Sequence, residues 1–234
     1  MLDTEFITIL GLGLVLGLRH ALDTDHLAAV STILTQRPSL RASGMVGFSW
    51  GLGHTVVLLV AGAVVLVLRV SIPEPVAIAA EFGVGMMLVF LGGMRAIRLI
   101  RERWHVHAHD HDGAQHMHLH SHALVENHGH GHWWHDSIRP FCIGMAHGLA
   151  GSAALLLIVL SSAQSVSEGL TYIGVFGLGS IIGMVLVGMV VSLPVLWSLH
   201  LGRPVFLALQ GVASLGSVAV GLMMMYHIGF GSQP

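Results

Sequence analysis

Six long apolar stretches divide this chain of 234 residues and limit what it can fold into. A helix needs about 20 mostly apolar residues to cross the ~30 Å hydrocarbon core of a bilayer. Each stretch meets that length, and Pro and Gly residues separate several of them. The predicted spans are 6–34, 44–70, 81–100, 141–162, 170–199 and 204–230. The sequence therefore predicts an all-α integral membrane protein with six transmembrane helices.

The composition agrees with a lipid bilayer as the chain's surroundings. Charged residues make up only 9% of the chain, against about 25% in ordinary soluble domains. All ten basic residues are arginines and the formal net charge is −2, so we expect no nucleic-acid partner. The single cysteine, Cys142, excludes a disulfide scaffold and a zinc site built from thiolates.

The arginines predict the orientation of the chain, because cytoplasmic loops are enriched in positive charge. Eight of the ten fall on one side if the spans alternate: Arg37, Arg41, Arg95, Arg98, Arg101, Arg103, Arg139 and Arg203. Both termini are then extracytoplasmic, and the long loop after the third span is cytoplasmic. The acidic start, with Asp3 and Glu5, does not resemble a cleavable signal peptide. The predicted location is the cytoplasmic membrane.

The two halves of the chain resemble each other at a nearly constant offset of 126 to 128 residues. The matched segments are 17–22 with 144–149, 51–54 with 177–180, and the glycines at 83 and 93 with those at 211 and 221. Each half holds three spans, and an odd number makes the halves insert in opposite orientations. We therefore predict a 3+3 inverted repeat, a plan found in many secondary transporters.

This repeat divides the chain into three parts. Residues 1–104 form the first three-helix repeat, 105–138 a histidine-rich loop, and 139–234 the second three-helix repeat.

Two aspartates and two histidines fall within seven residues near the middle of the first predicted span. The segment reads His20-Ala21-Leu22-Asp23-Thr24-Asp25-His26. A charged side chain at the bilayer centre costs about 2.5–3.5 kcal/mol or more. A divalent cation would offset that cost, because its charge matches two carboxylates and the imidazoles supply neutral donors. The segment therefore predicts a metal site.

Helix geometry restricts how this segment can bind one ion. At about 100° per residue, His20, Asp23 and Thr24 share a face, whereas Asp25 and His26 point elsewhere. Either the helix breaks within the segment, as the site helices of transporters do, or only a subset of these residues binds. The alternative to a metal site is a buried polar network or an ion pair with Arg19.

Two further histidines are predicted inside the membrane, His54 in the second span and His147 in the fourth. By the internal repeat, His147 is the counterpart of His20, so both are expected near the midplane. Each is a candidate metal ligand. A hydrogen-bonded structural histidine is the alternative for each.

The loop between the halves holds twelve of the eighteen histidines. They are His105, His107, His109, His111, His116, His118, His120, His122, His128, His130, His132 and His135. Such a tract is typical of metal binding, and imidazole suits nickel, cobalt, copper and zinc. Because the tract has little apolar surface to bury, we expect no regular structure without metal. We interpret it as a cytoplasmic buffer, sensor or delivery arm.

Two motifs resemble those of a known family. The pattern Arg19-His20-Ala21-x-Asp23-x-Asp25-His26 resembles the signature of the nickel/cobalt transporter family (NiCoT/NicO), and 53–57 (Gly-His-Thr-Val-Val) resembles its second motif. The six-span length and residues 147–152 are similar to the short, urease-accessory (UreH-type) branch.

The resemblance implies a secondary metal permease. It carries the metal-handling role over to His20, Asp23, Asp25, His26 and His54. Longer family members have an acidic motif in a later span. Here spans four to six have no Asp or Glu in their interiors, with Glu168 expected in a loop.

The predicted function is secondary transport of Ni²⁺, with Co²⁺ as a second candidate, and not catalysis. The metal is the transported substrate, and no prosthetic group is implied. No nucleotide-binding motif is present, so an ion gradient, the membrane potential or a partner must drive the movement. A cytoplasmic metallochaperone and a second copy of the chain are candidate partners.

Two other functions compete with transport. The first is a membrane metal sensor or chaperone that uses the histidine-rich loop and moves no metal. The second is an intramembrane metalloenzyme. Such enzymes need short histidine boxes at helix ends or an HExxH string, and the sequence contains neither.

Overall fold

A computed structural model describes residues 4–35, 39–102, 106–111, 114–119, 133–151, 159 and 163–231. Within these ranges the chain forms seven helices and one two-stranded hairpin. The elements are α1 (Thr4–His20), α2 (Thr24–Leu34), α3 (Leu40–Leu68), α4 (Glu74–Glu102), β1 (Val106–His111), β2 (Ala114–Leu119), α5 (Trp133–Ala150), α6 (Val166–His200) and α7 (Arg203–Phe230).

Several of these helices are long and apolar enough to cross a membrane. Helices α3, α4, α6 and α7 each qualify alone, and α1 with α2 qualifies as one span bent by 52°. The fourth predicted span begins in α5, but residues 152–158 and 160–162 lie outside the described residues. The chain is a multi-pass helical membrane protein with four or five candidate spans among its described residues.

Four helices begin four or more residues earlier than the hydropathy pattern predicts. Helix α3 starts at Leu40, α4 at Glu74 and α5 at Trp133. Helix α6 starts after Ser165, whose Oγ accepts a hydrogen bond from the backbone N–H of Glu168 at 3.2 Å. The carboxylate of Glu168 in turn accepts from the N–H of Gln164 at 3.0 Å, an arrangement close to a capping box. Glu168 therefore lies in the first turn of α6, and its expected position in a loop is wrong.

The first predicted span breaks at residues 21–23, within the histidine and aspartate segment. The backbone of Asp23 is extended, with φ −61° and ψ 145°, and α2 begins at the next residue. Of the two geometries that the sequence allowed, the broken helix is the one that forms. The break turns the ends of α1 and α2 towards the same region of the bundle.

Glycines allow the helices around this break to pack in close contact. Helix α1 packs on α6, α5 packs on α3, and α3 packs on α6. A Cβ atom on Gly17 would overlap the carbonyl oxygen of Phe176, and one on Gly144 would overlap that of Trp50. At these crossings any larger residue would force the backbones apart.

The far end of α2 is anchored by hydrogen bonds to other helices. The side-chain amide of Gln210 in α7 donates to the carbonyl oxygen of Thr35 at 2.6 Å. Arg95 in α4 donates to the Gln210 side-chain oxygen at 2.7 Å. The Thr32 hydroxyl also donates to the carbonyl of Ala213 at 3.1 Å. The short helix is therefore held against α4 and α7.

Part of the histidine-rich loop has regular backbone structure, contrary to expectation. Strands β1 and β2 pair antiparallel, with His107 opposite His118 and His109 opposite His116. The physical reason lies in the sequence, since histidines alternate with other residues at the period of two that suits a strand.

Candidate metal centre

Side chains from four helices meet beside the break between α1 and α2. His20 is the last residue of α1, and His26 lies in the first turn of α2. His54 lies within α3, and His147 lies in the last turn of α5. The fold thus brings together four histidines that are up to 127 positions apart in the chain.

The four imidazoles form one continuous cluster. The ring centroids are 4.7 Å apart for His20 and His26, 4.8 Å for His20 and His54, and 4.8 Å for His26 and His147. His26, His54 and His147 are each no more than 2% exposed. One ring nitrogen from each of His20, His26 and His54 lies within 4.8 Å of the others.

Most of the ring nitrogens in the cluster have no hydrogen-bond partner among the residues that the structure describes. These atoms are Nε2 of His20, Nε2 of His147, and both ring nitrogens of His26 and His54. A buried polar atom without a partner costs about 1–3 kcal/mol. Several such atoms facing one another are unfavourable by themselves, and a cation that accepts their lone pairs would remove the cost.

Asp25 brings a negative charge to the cluster. Its Oδ1 lies 3.3 Å from Nδ1 of His26, and its Oδ2 lies 3.6 Å from Nε2 of His147. The same Oδ1 accepts a hydrogen bond from the backbone N–H of His26 at 2.9 Å. Asp25 is therefore placed between a histidine of the first half of the chain and one of the second half.

Asp23 is placed differently from Asp25. Its Oδ2 lies 2.7 Å from Nδ1 of His20, and its side chain is 51% exposed, against 23% for Asp25. Oxygen atoms of Asp23 and Asp25 with a nitrogen of His26 also form a compact group of three potential ligand atoms. Arg19 is exposed, and the ion pairs that these carboxylates form are with histidines. Among the residues that the structure describes, the alternative of an ion pair between Arg19 and either aspartate is not found.

The donor set of this cluster is nitrogen-rich with carboxylate oxygen. Such sets suit divalent ions such as Ni²⁺, Co²⁺, Zn²⁺ and Cu²⁺, whereas Mg²⁺ and Ca²⁺ prefer oxygen ligands alone. The exposed position of Asp23 at the break leaves one side of the group open. The arrangement is chemically suited to hold a borderline transition metal ion inside the bundle.

Two aromatic side chains that the sequence motifs do not include lie against the cluster. The Trp50 ring centroid lies 5.0 Å from that of His147 and 6.0 Å from that of His26. The Phe176 ring centroid lies 5.6 Å from that of His20. The repeat contained a signal for them, because Trp50 precedes the matched segment 51–54 as Phe176 precedes 177–180.

The loop histidines occupy several kinds of position. His107, His109 and His111 lie in β1, His116 and His118 lie in β2, and the backbone of His135 lies in α5. The remaining six, at 105, 120, 122, 128, 130 and 132, lie outside the described residues.

One curated protein is similar to this chain over nearly its whole length. It is the urease accessory protein UreH of Bacillus sp. (strain TB-90), with 34% identity over 227 residues. The match covers 97% of this chain and 94% of the relative. No protein-family model matches the chain, and no solved structure matches it.

Proposed function

We propose that this chain, which belongs to the UreH-type, urease-accessory branch of the nickel/cobalt transporter family, carries Ni²⁺ across the cytoplasmic membrane through its histidine cluster. Co²⁺ is the second candidate substrate. His20, His26, His54 and His147 supply nitrogen ligands, and Asp23 and Asp25 supply negative charge. The prediction that the chain is not an enzyme agrees with the relative's name, which is that of an accessory protein.

The convergence of a carboxylate and four imidazoles, each with at least one ring nitrogen that makes no hydrogen bond to the described residues, carries this proposal. Buried histidines in a protein core are ordinarily hydrogen-bonded. In this cluster the ring nitrogens face one another, with Asp25 among them. Polar and ionisable groups within a membrane mark substrate and ion pathways. The helix break at the cluster adds support, since discontinuous helices form the ion sites of secondary transporters.

A 3+3 inverted repeat is part of the proposal. Its support is that contacts in one half of the chain have counterparts in the other half, at the sequence offset of 126 to 128 residues. Gly17 against Phe176 corresponds to Gly144 against Trp50, at offsets of 127 and 126 residues. Helix α1 on α6 likewise corresponds to α5 on α3. Rocking of one half against the other would then give each side of the membrane access to the cluster in turn.

A second pair of contacts follows the same symmetry. Gly53 lies against the carbonyl oxygen of Phe141, as Gly179 lies against that of Leu14. The symmetry of the backbone does not extend to the ligands, because Ser180 takes the place of His54. In this scheme one metal binds, mainly to the first half, and His147 completes the site from the second.

The orientation follows from the arginine distribution. Both termini are placed outside the cytoplasm and the histidine-rich loop inside. There the loop would buffer metal at the cytoplasmic face or pass it to a metallochaperone. Two observations support this role. The loop is rich in histidine, and in the hairpin His107 lies opposite His118 and His109 opposite His116. A second copy of the chain is a further candidate partner.

Metal accumulation in cells tests the transport proposal. Radiolabelled nickel content is followed over time with the wild-type chain, the variant His26→Gln, the matched control His200→Gln and an empty vector. His200 is an exposed histidine at the end of α6. It is distant from the cluster residues in the sequence and, unlike His26, it is not buried. Immunoblots of the membrane fraction establish that the variants are equally abundant.

Transport through the cluster predicts that the wild type and His200→Gln differ from the vector in the same direction, and that His26→Gln does not. Content above the vector identifies import, and content below it identifies export. Equal nickel content in all four strains would overturn nickel transport. If the wild type differs from the vector only with labelled cobalt or zinc, that metal and not nickel is the substrate.

A further inference from the structure

We infer that Asp23 is a positioning residue for His20 and not a metal ligand, an inference that rests on the proposed metal site. It accepts a hydrogen bond from Nδ1–H of the His20 ring and so leaves the Nε2 lone pair free for the metal. Asp25 is then the carboxylate that contacts the metal, and Asp23 contributes its negative charge through its bond to His20. The two aspartates of the segment thus have different functions, which the sequence does not distinguish.

The geometry of His20 carries the first step. Its Nδ1 lies 2.7 Å from Oδ2 of Asp23, the length of a charge-assisted hydrogen bond. Its Nε2 is buried and has no hydrogen-bond partner. A neutral imidazole carries one proton, so a donor at Nδ1 leaves an acceptor at Nε2. A carboxylate that holds a histidine in this way fixes its tautomer and ring orientation.

His147 repeats the same arrangement with a different acceptor. Its Nδ1 lies 3.3 Å from the carbonyl oxygen of Ile143, and its Nε2 is without a hydrogen-bond partner. By the internal repeat His147 is the counterpart of His20. Both histidines therefore have an acceptor at Nδ1 and an Nε2 atom that makes no hydrogen bond to the described residues.

The position of Asp25 contrasts with that of Asp23. Its Oδ2 lies 3.6 Å from Nε2 of His147, the nitrogen that faces the cluster. Asp23 instead contacts Nδ1 of His20, and half of its side chain is exposed. A metal bound at Nε2 of His147 would therefore lie beside Asp25, whereas Asp23, which lies near Asp25 and His26, is already bonded to Nδ1 of His20.

The start of α2 gives an independent indication. Asp23 occupies the N-cap position of this helix, where an aspartate side chain ordinarily accepts a backbone N–H two or three residues ahead. No such side-chain bond forms here. The carboxylate turns to His20 and leaves the usual cap bond unmade. The helix start therefore favours the histidine contact over a local structural role for Asp23.

The test begins with the metal-free protein, labelled with ¹⁵N-histidine and reconstituted in nanodiscs. His20→Gln identifies the His20 resonances, and the ¹⁵N shifts report which ring nitrogen carries the proton. We expect the Nδ1–H tautomer in the wild type and a mixture of tautomers in Asp23→Ala. Asp23→Asn, whose side-chain oxygen can still accept, should keep the Nδ1–H form. Glu74→Gln changes an exposed acid at the start of α4 and is the matched control.

Nickel binding provides the second measurement, by equilibrium dialysis and X-ray absorption at saturating metal. Loss of such a positioning partner typically weakens metal affinity by about 10- to 100-fold, and we expect this for Asp23→Ala. Asp23→Asn should recover most of the affinity. The number of imidazole and oxygen ligands should be the same in Asp23→Ala as in the wild type.

Two results would overturn the inference. One is an unchanged His20 tautomer in Asp23→Ala. The other is loss of an oxygen ligand from nickel in both Asp23 variants, with equal loss of affinity. If the wild type binds no nickel while the tautomer follows Asp23 as expected, the proposed transport function fails and the Asp23–His20 bond stands.

Discussion

Nε2 of His147 lies 3.6 Å from Oδ2 of Asp25, which joins a residue of α5 to the first turn of α2 across more than half of the chain. The aspartate belongs to the segment that resembles the family signature, and the histidine does not. Their contact makes the second half of the chain part of the candidate metal centre.

Replacing His147 should therefore weaken metal binding even though it lies outside the motifs. Loss of a residue that only supports a ligand costs about 10- to 100-fold in metal affinity, so loss of a ligand itself should cost at least as much. We expect His147→Ala to bind Ni²⁺ roughly tenfold or more weakly in equilibrium dialysis. His227→Ala, an exposed histidine in the last turn of α7, should bind like the wild type. Equal Ni²⁺ affinities of the two variants would show that His147 is not a metal ligand.

Bound nickel should quench the fluorescence of Trp50. This ring is fully buried and its centroid lies 5.0 Å from that of His147, well within the range at which an open-shell ion quenches an indole. Titration of the purified protein with NiCl₂ should produce a saturable decrease in emission. In a background where Trp104, Trp133 and Trp134, which flank the histidine-rich loop, are replaced by Phe, the decrease should be lost in Trp50→Phe and retained in Trp197→Phe, which removes a 67% exposed indole. Saturable quenching that persists in Trp50→Phe would place the bound metal elsewhere.

Enlarging Gly144 should destabilise the protein, whereas enlarging Gly174 should not. A Cβ on Gly144 would overlap the carbonyl oxygen of Trp50, but a Cβ on Gly174 meets nothing within 4 Å. Overpacking of this kind costs about 1–3 kcal/mol. In an exposed helix the same change stabilises slightly, because glycine is the weaker helix former. Thermal unfolding in detergent should show a lower midpoint for Gly144→Ala and an unchanged or higher one for Gly174→Ala.

Deleting the histidine hairpin should alter metal buffering and leave transport intact. The variant lacks residues 106–119, which comprise β1, β2 and their connection and end well before α5. We expect nickel flux in vesicles to persist, because the cluster lies in other elements. The number of nickel ions bound per chain should fall. Complete loss of nickel-dependent function on this deletion, with His26→Gln behaving as the wild type, would favour a sensor or chaperone that moves no metal.

Much of the general character of this chain can be predicted from local sequence. Apolar length and the scarcity of charge predict a helical membrane protein, because both determine the cost of transfer into lipid. The motifs at residues 19–26 and 53–57 indicated the family to which the chain belongs. Helix starts were less predictable. The 166–169 segment shows why, since a cap formed by Ser165 and Glu168 extends α6 beyond its apolar run.

The candidate metal centre was only partly predictable. The segment from His20 to His26 can be recognised as a candidate site from the sequence, because carboxylates and imidazoles are costly within a span. His54 and His147 were equally compatible with a structural role, and metal binding by any of these residues stays a prediction. Trp50 and Phe176 are apolar residues at equivalent positions of the repeat, and their ring contacts with His147, His26 and His20 are what connect them with the cluster.

Local sequence is enough to predict that the chain enters a membrane and that charge is concentrated in its first span. These properties depend on residues close together in the chain. Only the packed helices show where α1 breaks, that His147 reaches Asp25, and that Asp23 contacts His20 instead of capping α2. Those features depend on helices far apart in the chain packing at glycine contacts such as Gly17 on Phe176 and Gly144 on Trp50. Such contacts are set by the fit of whole helix surfaces, which no local pattern specifies.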